Sequence, residues 1–128
     1  VISSVISRVS ALVLAAGGVA LLFASDALLP MLMPGLPASA AWLGQLIAAA
    51  WLSVALFNWH GRETILGGVY GRPALNLNLV LYLVSALALL RAKDPTVAVR
   101  VLTVPMGIMA LVYAALLVRG PFDRPPAR

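Results

Sequence analysis

Apolar residues run along this chain in four long blocks, separated by short segments where charge, proline and glycine collect. The blocks are 9–25, between Arg8 and Asp26; 38–59, between Pro37 and His60; 74–90, between Pro73 and Arg91; and 101–118, between Arg100 and Arg119. None contains Asp, Glu, Lys or Arg. A helix needs about 20 apolar residues, within a range of about 17–25, to cross a bilayer. Four such runs with almost no polar face predict an all-α membrane protein, a single integral membrane domain over 1–128. Short connections favour antiparallel neighbours, so the expected fold is an up-down-up-down bundle of four transmembrane helices. The first block also has features of a signal peptide, with Arg8 ahead of it and Ala38-Ser39-Ala40 as an A-x-A site. Its apolar run ends near Phe23, too far upstream of that site, so it is read as a span.

Helices in lipid associate through close packing of small residues. The first block offers Ala15, Ala16, Gly17 and Gly18, and the second Gly44-x-x-x-Ala48, so these two helices are expected to make the tightest contact. Trp42 and Trp59 fall near opposite ends of the second span, where an aromatic belt belongs. Trp51 falls at mid-depth and is expected to face protein. Pro105 in the fourth span leaves the Val101 carbonyl without its usual donor, which predicts a kink.

Composition agrees with the pattern: 62% hydrophobic residues, 10% charged, and a mean hydropathy of +1.03. Soluble domains carry about 25% charged residues, and a chain this small leaves much of its surface in contact with solvent. The absence of cysteine excludes disulfides, thiolate metal sites and Cys-x-x-Cys redox chemistry. The single histidine, His60, excludes a multi-histidine metal site from this chain alone. The net charge of +5 is distributed unevenly. Arg8, Arg62, Arg72, Arg119, Arg124 and Arg128 share the side of the termini and the middle loop, against Arg91, Lys93 and Arg100 opposite. The positive-inside rule then places both termini in the cytoplasm. Membrane lipids are the expected partners of these charges. No polar basic domain is present to bind nucleic acid.

The first loop, from Asp26 through Pro30, Pro34 and Pro37, is apolar and reads as an interfacial segment. Met31 and Met33 could favour Cu(I), but two thioethers without His or Cys nearby are better read as packing or lipid contact. No metal and no cofactor is expected.

Polar residues gather at the cytoplasmic ends of the second and third spans. Asn58, His60, Asn76 and Asn78 flank a loop that contains Arg62 and Arg72. Polar groups within spans are costly and often functional. These six residues are therefore the candidate polar or lipid site, with the two arginines able to hold an anionic group. The competing reading is a structured turn in which the asparagines satisfy loop backbone and the arginines meet lipid phosphates. Asn78, Tyr82 and Ser85 recur at helical spacing and form one stripe. The loop 61–73 is expected to be ordered, with Ile65, Leu66, Val69 and Tyr70 burying apolar surface. His60 could serve as a single axial ligand to haem or a pigment.

The layout of four short-looped spans, with Asn58-Trp59 leading into Gly67-Gly68-Val69-Tyr70-Gly71-Arg72-Pro73, resembles small bacterial four-helix membrane proteins of the DoxX-like kind. The resemblance covers most of the chain in layout and this loop in residues. It implies the four-helix fold and no catalytic residue. Arg-rich, Lys-poor usage fits a high-GC bacterium, and the expected location is the bacterial inner membrane.

Missing chemistry narrows the function. A proton-coupled exporter or a rotary-ring proteolipid needs a carboxylate embedded in a span, and none of the four acids lies in one. A thiol oxidoreductase needs cysteines. An intramembrane hydrolase needs a nucleophile with a base, and Ser53 and Ser85 have no such partner in the sequence. The leading expectation is a non-catalytic accessory or structural subunit of a larger bacterial membrane complex. The alternatives are a small transporter or binding protein for a lipid or hydrophobic molecule, and a haem- or pigment-bearing subunit.

Overall fold

The computed structural model describes residues 1–123. Arg124 and Arg128, which enter the charge argument above, lie outside the described residues. The four blocks form four helices: α1 (Ile2–Leu32), α2 (Ala41–His60), α3 (Arg72–Leu90) and α4 (Val97–Arg119). Single 3-10 turns at Ala38–Ala40 and Val69–Gly71 lead into α2 and α3. All four helices are long and apolar enough to cross a membrane, and the chain is an integral membrane protein with a helical-bundle fold. Helices α1 and α2 form one intimate hairpin and α3 and α4 a second, with far sparser backbone contact between the pairs. One end of the bundle, called here the terminal end, gathers both ends of the described chain and the α2–α3 connection. The α1–α2 and α3–α4 connections lie at the far end.

The largest departure from the sequence expectation is α1, which starts before residue 9 and continues beyond residue 25. Its first turn is capped by a residue distant in sequence. The Asp123 carboxylate accepts from the Ser3 N–H at 2.7 Å, the Ile2 N–H at 2.9 Å and the Val1 amino group at 3.0 Å. An anion here also suits the positive end of the helix dipole. Further along, α1 bends rather than ends. Ala24 leaves helical geometry (φ −127°, ψ 31°) ahead of Pro30, and the Ser25 hydroxyl donates back to the Leu21 carbonyl. Such back-bonding competes with the backbone ladder and bends helices. The fourth helix continues without interruption through Pro105.

Small residues bring α1 and α2 together as their spacing predicts. A methyl group on Gly18 would meet Leu52 Cγ at 2.8 Å, and one on Gly44 would meet Ser25 Oγ at 2.6 Å. Trp51 is half-buried, filling the space beside Gly17.

Burial divides the molecule in two. The main core joins Leu14, Ala55, Leu75, Tyr82, Met106 and Tyr113 from all four helices, with Leu66 of the middle loop. The far half holds a small cluster of Leu21, Leu29 and Ala48, supplied by α1 and α2, with Val99 of α4 buried apart from it. There the hairpins are joined by Thr96, whose hydroxyl donates to the Met31 carbonyl at 2.8 Å and accepts from the Val99 N–H at 3.3 Å.

The middle loop is packed, though not by all the residues expected. Leu66 is buried and its N–H donates to Ser3 Oγ at 3.0 Å. Val69 and Tyr70 instead point outward, at 78% and 91% exposure, as the 3-10 turn carries them away from the bundle. At Gly71 the backbone passes so close to the Ile65 carbonyl that no side chain fits.

Two predictions follow from these contacts. Gly71→Ala should lower the thermal midpoint in detergent sharply. Gly107→Ala, in open space within α4, should leave it unchanged or raise stability by up to about 1 kcal/mol, because glycine inside a helix is entropically costly. Hydrogen bonds from Ser3, Ile2 and Val1 hold the Asp123 carboxyl well below the usual carboxylate range. A depressed folded-state pKa gives stability that is present above the ordinary carboxylate pKa and fades as pH falls below it. Asp123→Ala should therefore melt below the parent protein at pH 7. That gap should narrow as pH falls from about 5 towards 2, which paired melting curves would measure.

Candidate functional site: a buried polar clasp

Polar side chains converge inside the bundle, but only two of the six sequence candidates are among them. Asn58 of α2 and Asn78 of α3 face each other as a reciprocal amide pair. Asn58 Nδ2 donates to Asn78 Oδ1 at 2.7 Å, and Asn78 Nδ2 donates to Asn58 Oδ1 at 2.6 Å. Ser10 of α1 completes the junction, accepting from Asn58 Nδ2 at 2.9 Å and donating to Asn78 Oδ1 at 3.1 Å. Its hydroxyl also lies 2.6 Å from Tyr82 Oη. Asn78 Nδ2 donates its remaining bond to the Ala74 carbonyl at 2.8 Å. Ser10, Asn58, Asn78 and Tyr82 are all buried. Asn78 lies six residues into α3, roughly 9 Å along its axis at about 1.5 Å per residue. The clasp is therefore within the bundle rather than at its mouth.

Helix α4 reaches the same place through Tyr113, whose ring stacks on Tyr82 with centroids 5.8 Å apart and planes 13° from parallel. Its hydroxyl lies beside Ser10 but makes no hydrogen bond among the described residues.

The other four candidates lie at the rim. His60 and Asn76 are exposed. Residues two apart on an α-helix point roughly 200° apart at about 3.6 residues per turn. Asn76 and Asn78 therefore occupy opposite faces, as do Asn58 and His60, so the set does not converge on one pocket. His60 Nδ1 is 2.8 Å from the Leu56 carbonyl. Arg62 donates to the Trp59 carbonyl at 2.7 Å and lays its guanidinium over the Trp59 ring, 4.9 Å from the centroid. Arg72 is exposed at the start of α3. Nor do the asparagines satisfy loop backbone, as expected of Asn58 and Asn76; Ser3 does that at Leu66.

Sequence reasoning missed Ser10 and Tyr113. Their signal was the same spacing that singled out Asn78 and Tyr82. Ser3, Ser7 and Ser10 recur at intervals of four and three and are all buried on α1, continuing the stripe formed by Leu14, Gly18 and Leu21.

In comparison with known proteins, no family model, curated protein or solved structure matches this chain.

The tyrosines should separate on mutation. Tyr82→Phe removes a made hydrogen bond and should cost about 0.5–1.5 kcal/mol. Tyr113→Phe removes an unpaired buried hydroxyl and should be neutral or stabilising. For the amide pair, Asn58→Leu and Asn78→Leu should each be destabilising alone, by about 1–3 kcal/mol where a buried amide is left unpaired. The double variant should fall short of their sum. Unfolding in detergent would measure both comparisons, and strict additivity of the asparagine changes would contradict the pairing.

Proposed function

We propose that this chain is a non-catalytic accessory or structural subunit of a larger bacterial membrane protein complex, held in the inner membrane with both termini in the cytoplasm. The observation that carries this reading is the closure of the clasp. Asn58, Asn78, Ser10 and Tyr82 spend their hydrogen-bonding groups on one another. Their arrangement fastens helices and presents no reactive group to a substrate. The resemblance in layout to DoxX-like proteins bears on the four-helix architecture alone. The arginine bias supports the orientation.

The reading as a binder of lipids through Asn58, His60, Arg62, Arg72, Asn76 and Asn78 has less support, because the interior pair and the rim residues do not share a cavity. A haem or pigment on His60 has little support as well, with the ring exposed and Nδ1 engaged by a carbonyl.

The test is native mass spectrometry after mild detergent extraction. The expected outcome is co-purification with larger membrane subunits in fixed stoichiometry. A lone chain, under conditions that keep known membrane complexes intact, would remove the basis of the proposal. Absorbance of the same preparation checks the pigment alternative, with no visible band expected.

A further inference from the structure

Where the clasp ends, the two hairpins part. A groove of about 510 Å³ opens between α1 and α4 in the far half of the bundle. Gly17, Leu21 and Met31 line one wall, Val97 and Pro105 the other, and Trp51 of α2 lies at the back. We propose that this groove holds one acyl chain of an anionic phospholipid from the leaflet at the far end, with its phosphate met by Arg91 and Lys93.

Length is the first argument. At roughly 1.5 Å per residue, the lining runs about 12 Å along α4, from Val97, its first residue, to Pro105, and about 22 Å along α1, from Gly17 at mid-helix to Leu32 at its end. Its deep end is set by Trp51, near the middle of α2 (Ala41–His60). The groove therefore spans about one leaflet of a hydrocarbon core roughly 30 Å thick, the reach of a lipid tail. A partner's transmembrane helix would continue across both leaflets, where the full four-helix core already closes the space.

Charge is the second argument. Arg91 and Lys93 lie on the connection just before α4, whereas Arg100, two positions from the lining residue Ala98, is on the opposite face of α4. All three are exposed, and none forms an ion pair among the described residues. The acids of this end are Asp94, in the same connection at φ 50°, and Asp26. Asp26 lines a separate cleft against Pro37 and Ala38. A cation near a membrane surface is worth roughly fivefold in attraction to an anionic lipid, so Arg91 and Lys93 together outweigh Asp94. This local cluster also accounts for the basic loop that runs against the overall charge bias.

Native mass spectrometry of the full chain, loaded with dioleoyl phosphatidylglycerol or dioleoyl phosphatidylcholine, tests the proposal. The expected result is one retained phosphatidylglycerol, preferred at least about fivefold over phosphatidylcholine. Replacing Arg91 and Lys93 with Gln should bring that ratio to near one while a lipid is still retained. Filling the groove with Ala20→Phe and Ala98→Phe should abolish retention of either lipid. Should that variant fail to fold, a phosphatidylglycerol with a photoreactive group at its chain end decides the matter on the parent protein. Labelling concentrated on the segments around Gly17 and Pro105 supports the site. Labelling spread over the outer face of α3, equal retention of the two lipids, or cross-linking of Val101→Cys to a second copy would overturn it.

Discussion

Hydrocarbon offers no hydrogen bond, so any polar side chain turned into this bundle must find its partner within the protein. The reciprocal pair of Asn58 and Asn78 meets that constraint, and the arrangement of the hairpins depends on it. The backbone of α3 stays apart from α1 and α2 for most of its length. Side chains span the gap, and the amide pair fixes how far each helix is rotated about its axis. Leucines in its place could slide past one another at little cost. Two primary amides that exchange N–H and C=O groups can meet at one depth and one rotation only.

That single junction explains why the interior is uneven. Around it, Tyr82 stacks on Tyr113, and Leu14, Leu75 and Met106 pack into one core. The middle loop closes the same end through Leu66 and Ser3, and Asp123 ties down the first turn of α1. Away from the junction, the hairpins meet through the hydroxyl of Thr96, while Trp51 packs on the α1–α2 cluster of its own hairpin. One half is thus a protein interior and the other keeps an open apolar groove between α1 and α4.

The four spans were legible because an uninterrupted apolar run has one meaning in a chain this poor in charge. Their ends were less so. Capping by Asp123 and a bend at Ala24 extend α1 at both ends, and neither a distant cap nor a side-chain bond inside a helix has a local sequence signal. At the site, the sequence pointed to the right helix ends but grouped residues by proximity along the chain. Helical phase separates Asn76 from Asn78 and His60 from Asn58, which turns a supposed pocket into an interior pair and a charged rim. Ser10 escaped notice because serine is common and small; its significance comes from a periodicity shared with Ser3 and Ser7.

The clasp also bears on biogenesis, because its members enter the membrane in order. When α1 and α2 have paired, Asn58 donates to Ser10 while its carbonyl oxygen still lacks the Asn78 amide. That unsatisfied acceptor makes the first hairpin a template. It discriminates among incoming segments by whether they carry a complementary amide at matching depth, and α3 does. The contact between Asp123 and the start of α1 joins residues 120 positions apart, so it needs α4 as well as the clasp's three helices to be in place.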